Sequence, residues 1–152
     1  MRLFRAVFFP MKRFKRSAFK YDVIIGIGGN QGDVKKRFTH LMRHWMNERR
    51  LYVVETSPIL KNPPFGFLEQ EDFHNATILV QTSLDAMSFL RLLQQSEKRF
   101  GRVRSFKDAP RTLDLDIIFF DRQIHKRKGL LVPHPKWSER PSVVIPLGLM
   151  RS

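Results

Sequence analysis

Between Asp108 and Asp121 the chain reads D-A-P-R-T-L-D-L-D-I-I-F-F-D. Leu113, Leu115, Ile117 and Phe119 alternate with Asp114, Asp116, Ile118 and Phe120, which is the two-residue period of a β-strand. Asp114 and Asp116 therefore share a face, about 7 Å apart along the backbone. Two carboxylates side by side on an apolar strand repel one another and are costly to desolvate. A cation removes both objections. Mg²⁺ suits such a pair, because it takes one or two carboxylates and completes its shell with water and substrate phosphates. The alternative is a solvated strand face with no ligand at all. Arg111, just before the strand, is placed to grip a phosphate held by the same ion.

The rest of the chain supplies partners for that strand. Asp22 to Gly28 (D-V-I-I-G-I-G) is a short apolar run of the kind buried on both faces. After the Gly28-Gly29-Asn30 turn, Asp33 is placed to cap a helix with the stripe Val34, Phe38, Leu41, Met42 and Trp45. Leu51 to Ser57 reads as a second strand, followed by a loop of fifteen residues, Ser57 to Glu71, long enough to suggest function. Phe73 to Thr82 is a third strand, with Ala76, Ile78 and Val80 on one face and Asn75, Thr77 and Gln81 on the other. Ser83 is a candidate cap for a helix with the stripe Ala86, Phe89, Leu90, Leu93 and Phe100, stopped by Gly101. Glu97 falls on that stripe, with Gln94 one turn before it. Strand, helix, strand, strand, helix, strand is the split βαβ order. It predicts an α+β, ferredoxin-like sandwich: a mainly antiparallel sheet with helices on one face. The opposite face, with Asn75, Asp114 and Asp116, is left for ligands.

The chain has 152 residues, the length of one domain. It has no cysteine, which excludes disulfides, thiolate metal sites and cysteine nucleophiles. No apolar run approaches a membrane span. The net charge is +14, which favours anionic partners. Residues 1–20 hold seven Lys or Arg and no acid, and residues 21–152 hold 21 basic against 14 acidic residues. The first twenty residues read as a basic extension to a domain spanning 21–152. Phe4, Val7, Phe8, Met11 and Phe14 fall at helical spacing there, interrupted by Pro10.

A-P-R-T-L-D-L-D-I-I, with the features above, resembles the signature of the 6-hydroxymethyl-7,8-dihydropterin pyrophosphokinases of folate biosynthesis. The resemblance runs from about Val23 to Leu147. It implies two Mg²⁺ on Asp114 and Asp116, with ATP as co-substrate. It implies a pterin site at Gly29, Asn30, Pro64, Phe65, Phe73 and Asn75. Nucleotide contacts would come from Gln94, Glu97, Arg111, Ile117, His134 and Arg140, and the catalytic arginines would be Arg102, Arg104 and Arg111. Two positions depart from the best-known members: Asp108 stands where they have a tryptophan, and Ser142 where they have a phenylalanine that stacks on the pterin. Trp137 is the candidate replacement for that ring. The expectation is a cytoplasmic, monomeric transferase acting on ATP and a dihydropterin alcohol, without a specific nucleic-acid partner. An RNA-binding module of similar topology would need aromatic and basic residues where this strand offers two acids.

Overall fold

The computed structural model describes residues 1–64, 66–102 and 110–150. Two short strands, β1 (Arg2–Phe4) and β2 (Met11–Lys12), precede β3 (Tyr21–Gly29) and α1 (Val34–Met46). Then come β4 (Leu51–Thr56), β5 (Ile59–Asn62), β6 (Phe73–Thr82) and α2 (Ala86–Arg99). The chain continues through β7 (Asp114–Phe120), the hairpin strands β8 (His125–Arg127) and β9 (Leu130–Val132), and α3 (Pro141–Gly148). β6 and β3 are central, β7 flanks β3, β4 and β5 both pair with β6, and every pairing is antiparallel. This is the expected split βαβ sheet.

Register explains why one face is a core. Val23, Ile25 and Ile27 of β3 lie opposite Val80, Ile78 and Ala76 of β6, and Ile25 and Ile27 lie opposite Ile117 and Leu115 of β7. Against these pack Phe38, Leu41, Met42 and Trp45 of α1 with Phe89, Leu92 and Leu93 of α2. Asp33 caps α1 through Lys36 N–H at 3.1 Å. Asp85, rather than Ser83, caps α2, accepting from Ser88 N–H at 2.8 Å. Ser83 Oγ instead accepts from Lys20 N–H. The indole N–H of Trp45 donates to Ser96 Oγ at 3.1 Å and ties the two helices together.

Four further expectations are corrected. The helical spacing in the first twenty residues is not realised: β1 pairs with β5 and β2 with β4. Pro10 interrupts the helical pattern, and pairing satisfies backbone groups that an edge strand leaves open. Phe9, outside that spacing, is 0% exposed within the core, while Phe14 is 94% exposed. The long loop also contains a strand, because Ile59–Asn62 pairs with β6. Strict alternation in β7 ends at a bulge, since Ile25 faces Ile117 while Ile24 faces Phe119. Phe120 therefore turns into the core against Phe89, and Phe119 packs on Trp137. Finally, a short third helix, α3, lies by the ligand face: Val143 reaches its cavity and Met150 Sδ accepts a hydrogen bond from Thr77. No helix is long and apolar enough to cross a membrane.

Candidate active site

The ligand face is set by the same register. Gly28 lies between Asn75 and Asp114, and Gly26 between Thr77 and Asp116. The two glycines make a trough. A Cβ on Gly28 would collide with Asn75 Oδ1, and one on Gly26 would press on Ile118. A cavity of about 240 Å³ opens over this trough. Its walls include Asn62, Pro63, Pro64 and Phe73 as well as Arg111, His134 and Arg140. Asn75 Nδ2 donates to Asn62 Oδ1 at 2.6 Å, which fixes the orientation of the Asn75 amide. The Arg111 guanidinium lies 5.2 Å from the Phe73 ring centroid, a cation–π contact.

A second cavity, of about 1000 Å³, lies along β7 and the β8–β9 hairpin. Leu115, Ile117, Leu130 and Val132 form its apolar part, and Lys126, Arg127 and Lys128 its basic part. Asp116 and His134 line both cavities. His134 is held there by its backbone N–H on Ile118 O, at 2.9 Å. Burial, then the charge of Arg140, lower the His134 pKa below the ordinary imidazole value, against the pull of Asp114.

A charge chain runs behind this junction. Arg102 Nη1 donates to Glu97 Oε2 and, at 2.7 Å, to Asp114 Oδ1. Arg111 Nη1 donates to Asp114 Oδ2 at 3.1 Å. Glu97, on α2, also accepts the Leu115 N–H at 2.9 Å, which locks the helix to the start of β7. Burial pushes the Glu97 carboxyl up, and the Leu115 N–H and Arg102 oppose that. The Asp116 carboxylate accepts no hydrogen bond from the side chains of the described residues. Burial first, then the negative charges of Asp114 and Glu97, push its carboxyl up to about 7. A divalent cation would relieve that cost. Among the described residues no cluster of three or more acidic, His or Cys side chains forms a closed metal site. Asp114 and Asp116 would offer two carboxylates, a set that suits Mg²⁺ when phosphates complete its shell.

Of the residues singled out in the sequence, Pro64, Phe73, Asn75, Arg111, Asp114, Asp116, His134 and Arg140 line the first cavity. Glu97 and Arg102 stand behind it, and Ile117 lines the second. Phe65, Arg104 and Asp108 lie outside the described residues. Besides Glu97 and Arg102, three further expected residues line neither cavity. Gln94 is exposed on α2. Gly29 sits against Thr112, where a Cβ would meet the carbonyl at 2.5 Å. Asn30 turns away: its amide donates to Gln70 Oε1 at 2.8 Å and Glu71 O at 2.9 Å, and accepts the Arg111 N–H at 2.9 Å. It works as a clamp on the backbone that carries Arg111. Trp137 packs on Phe119 at 5.0 Å and is absent from both cavity walls. Ser142 and Val143 of α3 occupy the wall where an aromatic was expected. Sequence reasoning gave no site role to Asn62, Gly26 or the basic cluster Lys126-Arg127-Lys128, and did not read that cluster as a hairpin. The signal for the hairpin was Lys128-Gly129, since Gly129 has φ +83° and makes the tight turn.

Comparison with known proteins gives one consistent result. Residues 24–151 match the family model described as 7,8-dihydro-6-hydroxymethylpterin-pyrophosphokinase. Two relatives named 2-amino-4-hydroxy-6-hydroxymethyldihydropteridine pyrophosphokinase come from Campylobacter jejuni and Helicobacter pylori. The first is 46% identical over 143 residues, covering 94% of this chain and 91% of the relative. The second is 44% identical over 146 residues, covering 95% and 90%. A Bacillus subtilis protein of the same name is 35% identical over 123 residues, covering 81% and 74%. With a family match over residues 24–151 and relatives 46% and 44% identical over nearly their whole length, this chain belongs to the 7,8-dihydro-6-hydroxymethylpterin-pyrophosphokinase family.

Proposed function

We propose that the chain transfers the pyrophosphoryl group of ATP to 6-hydroxymethyl-7,8-dihydropterin, giving AMP and the pterin pyrophosphate. The observation that carries the reading is the meeting of the two cavities at Asp116 and His134. The smaller trough suits a flat ring: Asn75 offers its amide edge, and Pro64 and Phe73 give apolar walls. The larger cavity suits a nucleotide, with an apolar floor and a rim of Lys126, Arg127 and Lys128. Its triphosphate would then reach Asp114 and Asp116 from the side opposite the pterin.

In this arrangement the hydroxymethyl oxygen attacks the β-phosphorus, and the bond from that phosphorus to the α–β bridging oxygen breaks. Mg²⁺ held by Asp114 and Asp116 would supply charge neutralisation at the phosphate oxygens. Arg102 and Arg111, already gathered on Asp114, would face the same phosphates and stabilise charge on the transferring group. Neutral His134 at the junction would donate a hydrogen bond to a phosphate oxygen without adding a charge. The protein needs no covalent nucleophile, because positioning and charge stabilisation suffice for phosphoryl chemistry. The test is AMP release from ATP, measured with and without the pterin alcohol. Pterin-dependent AMP is expected. ATP consumption indifferent to the pterin would refute the reading.

A further inference from the structure

The strand β1 lies outside the stretch matched to the family, which begins at residue 24. Yet it reaches the trough. Its residues Arg2, Leu3 and Phe4 pair with Lys61, Leu60 and Ile59 of β5, and this register sets Met1 across from Asn62. Met1 accordingly lines the first cavity together with Asn62, Pro63, Pro64, Phe73 and Asn75.

β5 is the arm that shapes this side of the cavity. Its last residue, Asn62, pairs with Phe73 across the sheet, and its Leu60 pairs with Asn75. The Asn62 side chain sets the Asn75 amide, and Pro63-Pro64 follow directly. Without β1, β5 would be an edge strand ending in a turn, with its outer backbone groups open to water.

Phe4 ties β1 to the rest of the fold. Its ring lies 6.0 Å from the His74 ring of β6, centroid to centroid. Lys35 Nζ of α1 sits 4.4 Å from its centroid, and the Arg2 guanidinium 5.1 Å. One aromatic side chain therefore joins β1 to β6 and to the first turn of α1, on the helix face of the sheet and on the far side of β6 from the strand that carries Asp114 and Asp116.

We propose that β1 is a positioning strap for the pterin side of the site: it holds β5 so that Asn62, Pro64 and Asn75 are preset for the ring, and Met1 forms the outer lip. This rests on the proposed reaction. Its effect is specific to one substrate, because the nucleotide cavity along the β8–β9 hairpin shares no residue with β1 or β5. A preset arm saves ordering entropy on binding, and its loss is felt as affinity.

The experiment measures AMP formation by the full chain carrying Phe4→Ala, Phe4→Tyr or Leu3→Pro. Leu3 is half-exposed, so the proline breaks the strand without opening the core. Each substrate is varied at saturating concentration of the other, and unfolding temperature is recorded. Phe4→Ala and Leu3→Pro are expected to raise the pterin KM roughly tenfold. The ATP KM and kcat should stay within about twofold, and Phe4→Tyr should resemble wild type. Equal rises in both KM values, or a lowered unfolding temperature with both KM values unchanged, would overturn the strap. A wild-type chain that makes no AMP refutes the proposed reaction, and the strap with it.

Discussion

Removing the ring of Phe9 tests whether the first twenty residues are an appendage or part of the fold. Phe9 is 0% exposed, and its ring packs on Phe38 of α1 at 5.7 Å. The turn that carries it is closed by paired hydrogen bonds between Ala6 and Phe9, at 2.9 and 3.0 Å. Strands β1 and β2 on either side anchor it to β5 and β4. Phe9→Ala leaves a ring-sized void that such a braced site cannot collapse around, so the cost is about 3–5 kcal/mol. In a chain of this size that lowers the unfolding temperature by roughly 10 °C. Phe14→Ala removes the same atoms from a side chain that is 94% exposed and should change stability by about 0.5 kcal/mol or less. Urea unfolding of both variants, read by intrinsic fluorescence and far-ultraviolet circular dichroism, gives the comparison directly. Equal, small effects for the two would refute the placement of Phe9 and return residues 1–20 to the status of an independent extension.

Three further outcomes follow from the site. Gly28→Ala pushes a methyl group into Asn75 Oδ1 at a cost on the order of 1 kcal/mol. The pterin KM should therefore rise roughly tenfold while urea unfolding shows the fold intact. Lys126→Ala should raise the ATP KM two- to fivefold, as expected for one surface charge of about 0.5–1 kcal/mol, and leave the pterin KM unchanged in steady-state assays. Asp116→Asn should stabilise the protein in chelator at pH 8. The folded carboxyl, at about 7, is raised above its unfolded value of about 3.9. Stability from its proton is thus full below pH 4 and lost as pH rises through 7. The gain in the variant is bounded at roughly 4 kcal/mol and should vanish near pH 4 in pH-dependent unfolding curves.

The part of this fold that was legible in sequence is the part that repeats every two or four residues. The alternation of Val23, Ile25 and Ile27 and of Ala76, Ile78 and Val80 decides which face is core, since a one-residue slip would reverse it, and it carries Asn75, Asp114 and Asp116 to the opposite face. What was not legible depends on partners distant in the chain. Ile59-Leu60 is too short a pattern to read as a strand until β6 lies beside it, and β1 and β2 exist only because β4 and β5 present an edge. The bulge at Ile118 has no local signature, yet it decides which of Phe119 and Phe120 enters the core. Asn30 stands at the motif position expected to meet the pterin, but its direction is set by Gln70, Glu71 and Arg111. Asp85 rather than Ser83 caps α2 because the helix starts at Ala86, which puts Asp85 at the position whose side chain reaches Ser88 N–H.

The central claim is that the carboxylates of Asp116, where the two cavities meet, and of Asp114 beside it in the first cavity, are the reaction centre. Single-turnover AMP formation by Asp114→Asn and Asp116→Asn proteins, with ATP, the pterin alcohol and Mg²⁺, tests it most directly. Each change keeps the side-chain shape and removes the charge that would hold the ion. The account predicts at least about a hundredfold loss of rate in each variant. Pterin binding, read by pterin fluorescence without nucleotide, should be retained, since Asn62, Asn75 and Phe73 are untouched. Near-normal AMP formation by either variant would contradict it.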